Sequence, residues 1–237
     1  MATTTEASLN ERLLTAKCSR RACLAALRGG EVEQALGDPV YRLCLIRGIR
    51  YHYGLGEELR GTLPVFNRAL NARSIMSNVI ASFEGCPDDE VPYCVWHPET
   101  ALQETYRELA RRYPKMVYQV GRACAVAGYT QLYTQLYNEL DILPDVHIAQ
   151  EARKCGNLAI FEDIMSWTVR YSIMNDYTLS TNLDKPHSAH LNGDTCARWI
   201  LDVKQGFKDA DCEYEEEDGK LVSMGVWDEQ GYDDNMF

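Results

Sequence analysis

Apolar positions recur along most of this chain at three- and four-residue spacing, the period of helices with one buried face. Ser8 and Glu11 form a capping-box pattern, and Leu9, Leu13 and Leu14 open an apolar stripe, which predicts a helix running to Gly29-Gly30. Asp38-Pro39, an acidic cap before a proline at the first helical position, predicts a second helix that carries Val40, Leu43 and Cys44 and closes at Gly54 and Gly56. Leu70, Ile75, Val79, Ile80 and Phe83 predict a third from Asn67 to Phe83, stopped by Gly85. The stretch from Cys86 to Trp96 has Pro87 and Pro92 among acids and no helical period, so it is expected as an exposed loop and a domain boundary. His97-Pro98 restarts a helix to Arg112, carrying Leu102, Tyr106 and Leu109, until Pro114 breaks it. Asn138 to Pro144 reads as a connector, Asp145 as the cap of the next helix, and Asp194 as the cap of a last helix ended by Gly206. No parallel sheet is expected.

Two stretches echo each other 28 residues apart, around Gly128 and Gly156, and each reads as helix, glycine turn, helix. Cys124 and Ala125 precede Gly128, with Leu132, Tyr133 and Leu136 behind it; Ala152 precedes Gly156, with Ile160, Phe161 and Ile164 behind. Small residues let two helices approach, glycine permits the turn, and the aliphatics face a neighbouring pair. Over about residues 115–175 this pattern resembles the helical half of degenerate ankyrin repeats, such as occur in proteins of large DNA viruses, among others. Arg153 departs from the small-residue pattern, neither copy has the opening Thr-Pro-Leu-His, and the spacing falls short of the usual period of about 33. The resemblance implies stacked helical hairpins and a surface that binds another protein.

Charge divides the chain unevenly. Residues 208–237 hold 11 acids and two lysines, which leaves the rest close to neutral against a total of −11. A neutral body on an acidic tail argues against nucleic acid as a partner, because phosphate contacts demand clustered Lys and Arg. The tail, 207–237, admits three readings: disorder, docking on a partner through Trp227 and Phe237 among the acids, or a hairpin about Asp218-Gly219. Nine cysteines, spread through helical stretches and odd in number, read as reduced thiols of an intracellular protein, cytoplasmic or nuclear. No run approaches the roughly 18 apolar residues of a membrane span, so no membrane association is expected.

Candidate chemistry is thin. Cys86, Cys94 and His97 offer soft ligands in one loop but lack the fourth that structural zinc takes, so no metal or other cofactor is expected. Asp88-Asp89-Glu90 and Asn175-Asp176 lack the distal oxygens of a paired magnesium site. Gly54-Leu55-Gly56 is followed by two glutamates that would repel a phosphate. A DNA-reading helix-turn-helix fails at Glu162 and Asp163, which would face the backbone phosphates. Tyr129, Tyr133 and Tyr137 form an aromatic stripe suited to a core or an interface.

These readings predict an all-α protein, a short ankyrin-like α-solenoid of stacked hairpins with an acidic C-terminal tail. Its parts are an N-terminal helical region (1–85), a hairpin region (97–206) and the tail. The expected function is non-enzymatic binding of another protein through Tyr129, Tyr133, Tyr137, Trp227 and Phe237. An all-α enzyme or ligand-binding bundle assembled from distant residues such as His52, Cys94 and His97, and a viral accessory protein acting on a host partner, are the alternatives.

Overall fold

Ser8 accepts the Glu11 amide, and the Glu11 carboxylate returns a 2.7 Å contact to the Ser8 amide, so helix α1 (Leu9–Leu14) starts where the capping box places it. The computed structural model describes residues 8–15, 19–80, 82–83, 85–140, 142–176 and 178–191, together with the backbone of strands 213–215 and 221–223. The chain divides into two units, residues 1–60 with 201–237, and residues 61–200.

In the first unit the expected single opening helix is two. α1 ends at Thr15, and a new helix, α2 (Arg20–Leu27), begins at Ser19, which accepts the Ala22 amide at 3.0 Å. Asp38 caps α3 (Pro39–Tyr51) by accepting the amides of Val40 and Tyr41 at 2.8 and 3.0 Å. α2 packs on α3 through Ala22, Cys23, Ala26, Tyr41, Cys44 and Leu45, all buried. The contact is so close that a Cβ on Gly48 would lie 2.0 Å from the Ala26 carbonyl oxygen.

The second unit begins with α4 (Pro64–Met76). This helix stops seven residues before the expected Phe83, because Asn78 adopts φ 66°, a conformation asparagine tolerates, and Val79 bonds back to the Ser74 carbonyl. The loop that follows is not exposed throughout: Tyr93, Cys94, Val95 and Trp96 are core residues. Helix α5 (Gln103–Arg112) starts later than His97-Pro98 suggests. The Tyr106 hydroxyl donates to the Val95 carbonyl and accepts the Ala101 amide, pinning 95–101 as a loop. A 3₁₀ turn at Pro114–Met116 leads into α6 (Val117–Ala127).

Both echoed stretches fold as helix, turn, helix. α6 ends at Gly128, φ 74°, and is followed by α7 (Thr130–Leu140); α8 (Val146–Lys154) and α9 (Leu158–Ser166) flank Gly156, φ 75°. α6 is the hub, packed against α5, α7 and α8, and only its last two residues, Val126 and Ala127, escape burial. Beyond α9 the chain forms two short antiparallel pairs, β1 (Tyr171–Ser172) with β4 (His187–Ser188) and β2 (Met174–Asn175) with β3 (Ser180–Thr181). In the first unit β5 (Glu213–Glu215) pairs antiparallel with β6 (Leu221–Ser223). The helix expected between Asp194 and Gly206 lies outside the described residues. The architecture is helical, with many packed helices and these minor strands. Among the described residues no helix is long and apolar enough to cross a membrane.

Candidate functional site

A helix buried on every side has nowhere to send a charge, and α6 carries one, Arg122, with a fully buried side chain. A guanidinium stays protonated in any protein environment, so its counter-charges must be buried with it. Glu151, on α8, accepts from Arg122 Nε at 3.0 Å and Nη2 at 2.9 Å. Asp176, after β2, accepts from Nη1 at 2.5 Å and Nη2 at 3.1 Å. The Tyr93 hydroxyl donates to the same Asp176 at 2.6 Å, and the guanidinium carbon lies 4.9 Å from the centre of the Trp96 ring. Burial alone would push the Asp176 carboxyl up, but the Arg122 hydrogen bonds and charge, with the Tyr93 hydroxyl, hold it below its ordinary value. Desolvation drives the Tyr93 phenol the other way, well above its own.

Asp145 extends this interior. One of its oxygens caps α8 by accepting the amides of His147 and Ile148 at 2.8 and 3.0 Å, and the other accepts those of Ile173 and Met174 at 2.7 and 3.3 Å. Four backbone N–H groups thus solvate a fully buried carboxylate and fasten the strand segment to α8. The His147 Nδ1 lies 3.6 Å from the capping oxygen. Arg122, Glu151, Asp145 and Asp176 are all buried, and the cluster ties together three segments of chain.

What the unit presents outward is different. Tyr137 of α7 lies against Trp167, the C-cap of α9, with ring centroids 5.4 Å apart. Trp167 is 41% exposed; Leu140, one turn beyond Tyr137, and Val169, two residues beyond Trp167, are exposed as well. A cleft of about 610 Å³ lies elsewhere on the unit, lined by Trp96, His97, Pro98, Glu99, Thr100 and Val126. Glu99 there is tied to Arg73 at 3.0 Å.

The tyrosine stripe is divided by the fold. Tyr133 is 1% exposed, and its ring packs near Gly121 in the core, so it has no surface to offer. Tyr129 is half-buried and donates its hydroxyl to the Ala101 carbonyl at 3.1 Å, and Tyr137 is half-buried as well, against the exposed Trp167. Trp227 and Phe237 lie outside the described residues. Cys86 points its thiol at Glu90, 3.8 Å away, Cys94 is buried and His97 borders the cleft. These three do not converge, and among the described residues no three His, Cys, Asp or Glu side chains gather to hold a metal. His52 belongs to the first unit, where its Nε2 lies 2.9 Å from the Leu27 carbonyl, while Cys94 and His97 belong to the second.

Arg122 has no role in the sequence expectations above, and Asp176 enters them only as a metal ligand. The signal was present: Arg122 is the sole charge in the 11 residues of α6. Its partners, 29 and 54 residues away, carried no local mark.

Residues 96–202, somewhat under half of the chain, match the family described as YKP1 C-terminal domain. No curated protein matches the chain, and no solved structure does. The matched segment begins at the buried Trp96 and takes in α5 to α9 with the Arg122 cluster.

Proposed function

We propose that this chain is a protein-binding module and that its 61–200 unit engages a partner through the surface around Tyr137 and Trp167. The observation that carries the reading is the ring pair of half-buried Tyr137 and exposed Trp167, with exposed Leu140 and Val169 close to them in the chain. Tryptophan and tyrosine dominate binding hot spots because they bury a large rigid area at small entropic cost. In this reading α6/α7 and α8/α9 are degenerate ankyrin-like hairpins, supported by their two glycine turns and by the packing of α6 on α8. Cys44, Cys86 and Cys124 are thiols rather than half-cystines, which supports an intracellular setting.

The test places a photo-crosslinking amino acid at position 140 of the full chain. The expected result is a crosslink to a discrete partner that disappears in Trp167→Ala, with the thermal midpoint of that variant within about 2 °C of the parent. An unchanged crosslink pattern in the variant refutes the surface. A larger fall in the midpoint makes Trp167 a core residue and refutes it too.

A further inference from the structure

Tyr137 and Trp167 meet where two helices end. Tyr137 and Leu140 lie in the last turn of α7, and Trp167 is the C-cap of α9, so the surface gathers two helix C-termini, the negative ends of their dipoles. Neither helix carries a basic side chain in its last turn. The stretches 130–140 and 158–170 hold three acids, Glu139, Glu162 and Asp163, all exposed, against one cation, Arg170. Arg170 is half-buried, and its Nη1 donates to the Met165 and Trp167 carbonyls at 3.2 and 2.6 Å, which engages it with the end of α9.

Two of the acids lie close to the aromatic pair. Asp163 is one turn before Trp167 on α9, and Glu139 adjoins Leu140 on α7. Burial pushes the Tyr133 phenol up and the Asp163 charge is the next cause, which puts Asp163 on the side of α9 that faces α7. The nearest basic side chain of α8 lies elsewhere: Arg153 sits over the Phe161 ring at 5.9 Å, and Phe161 is about 200° round α9 from Asp163. Exposed Trp167, Leu140 and Val169 are therefore rimmed by carboxylates. A second copy of the chain would bring the same acids against them, and like charges facing each other weaken such a pairing.

We propose that the partner segment received at Tyr137 and Trp167 is cationic and amphipathic, with arginine or lysine side chains set among apolar ones. The inference rests on the partner surface under Proposed function and adds the chemistry of its occupant. The cation lies over the exposed indole of Trp167, Asp163 and Glu139 neutralise it, and the apolar neighbours cover Leu140 and Val169.

The test uses the full chain with the photo-crosslinking amino acid at position 140 and two probes, a short amidated peptide of arginine and leucine and its citrulline counterpart, which has the same shape and no charge. The arginine peptide is expected to crosslink about fivefold more than the citrulline peptide, and Glu139→Gln with Asp163→Asn should remove that advantage. Salt at about 0.5 M should remove it as well. Glu139→Gln alone decides the matter if the Asp163 substitution lowers the thermal midpoint. Equal crosslinking of the two peptides overturns the proposal, and so does an advantage that survives in the charge variant. If the native partner's crosslink still depends on Trp167 while the peptides do not differ, only the cationic chemistry falls; a partner crosslink indifferent to Trp167 removes the surface and this proposal together.

Discussion

Arg122→Met is the sharpest test of how the second unit is held together. Methionine replaces much of the arginine volume and keeps a contact with Trp96, so cavity formation contributes little. What disappears is the charge between Glu151 and Asp176, each of which receives two of its hydrogen bonds. Removing one partner of a buried ion pair costs about 3–5 kcal/mol, and here two carboxylates are stranded, Asp176 with the Tyr93 hydroxyl still donating to it. The expected loss is therefore at the upper end, about 5 kcal/mol, which lowers the urea midpoint of the full chain by about 2 M as followed by helical circular dichroism at neutral pH.

Two controls separate charge from packing. Adding Glu151→Gln and Asp176→Asn to the variant leaves no buried charge among the three positions and is expected to recover much of the loss. The pH dependence has a definite sign as well. Asp176 is held below its ordinary value in the parent, so it contributes stability above about pH 4 and that contribution fades as pH falls through the folded value. Without Arg122 the buried carboxyl is driven upward and takes a proton more readily, so the deficit of the variant shrinks as pH is lowered from 7. A variant within about 1 kcal/mol of the parent at neutral pH would show that the cluster contributes no net stability and refute this account.

Cys124 gives an alkaline counterpart: burial lifts its thiol to about 12, so the fold keeps a proton that the unfolded chain releases above about pH 9, and stability declines as pH rises between the two. Cys124→Ala is expected to flatten that decline in thermal melts taken at pH 8, 9 and 10; an identical slope would remove Cys124 as its source. Gly48→Ala puts a methyl group against the Ala26 carbonyl, where it must spread α2 from α3, and is expected to cost about 3 kcal/mol in urea titration. Amides of α2 and α3 should lose protection first, and undisturbed exchange there would show that the helices have room to move.

The legible parts of the fold were those with local chemistry. Ser8, Asp38 and Asp145 cap helices because each presents an acceptor to amides two or three residues on, and such contacts are written in adjacent letters. Gly128 and Gly156 end their helices with positive φ for the same local reason. The failures were non-local. Apolar spacing continues past Met76 to Phe83, but Asn78 turns the chain and uses its side chain to hold the Leu102 amide and the Thr105 hydroxyl, 24 and 27 residues away. His97-Pro98 looks like a helix start, yet the Tyr106 hydroxyl claims the backbone on both sides of it. The candidate surface was half legible, since a stripe of three tyrosines names one helix but not which of its sides the neighbours cover.

The echo itself takes on a physical meaning from Arg122. Aligned on their glycines, the two stretches keep what close helix packing asks for: Gly121 corresponds to Ala149, and Cys124 to Ala152. They do not keep charge. Arg122 corresponds to Gln150, while Glu151, which binds it, corresponds to Ala123. In an array built by translation, each unit must offer its neighbours the same two faces, so a charge on one face recurs in every copy. Here α6 supplies the cation and α8 the anion of a single buried pair, and Asp176 from beyond the hairpins completes it. Small residues and turns set how near the hairpins can come; the ion pair sets which hairpin meets which. Such a contact joins two unlike partners once, and a third unit bearing the same residues would bring a surplus of buried charge with it.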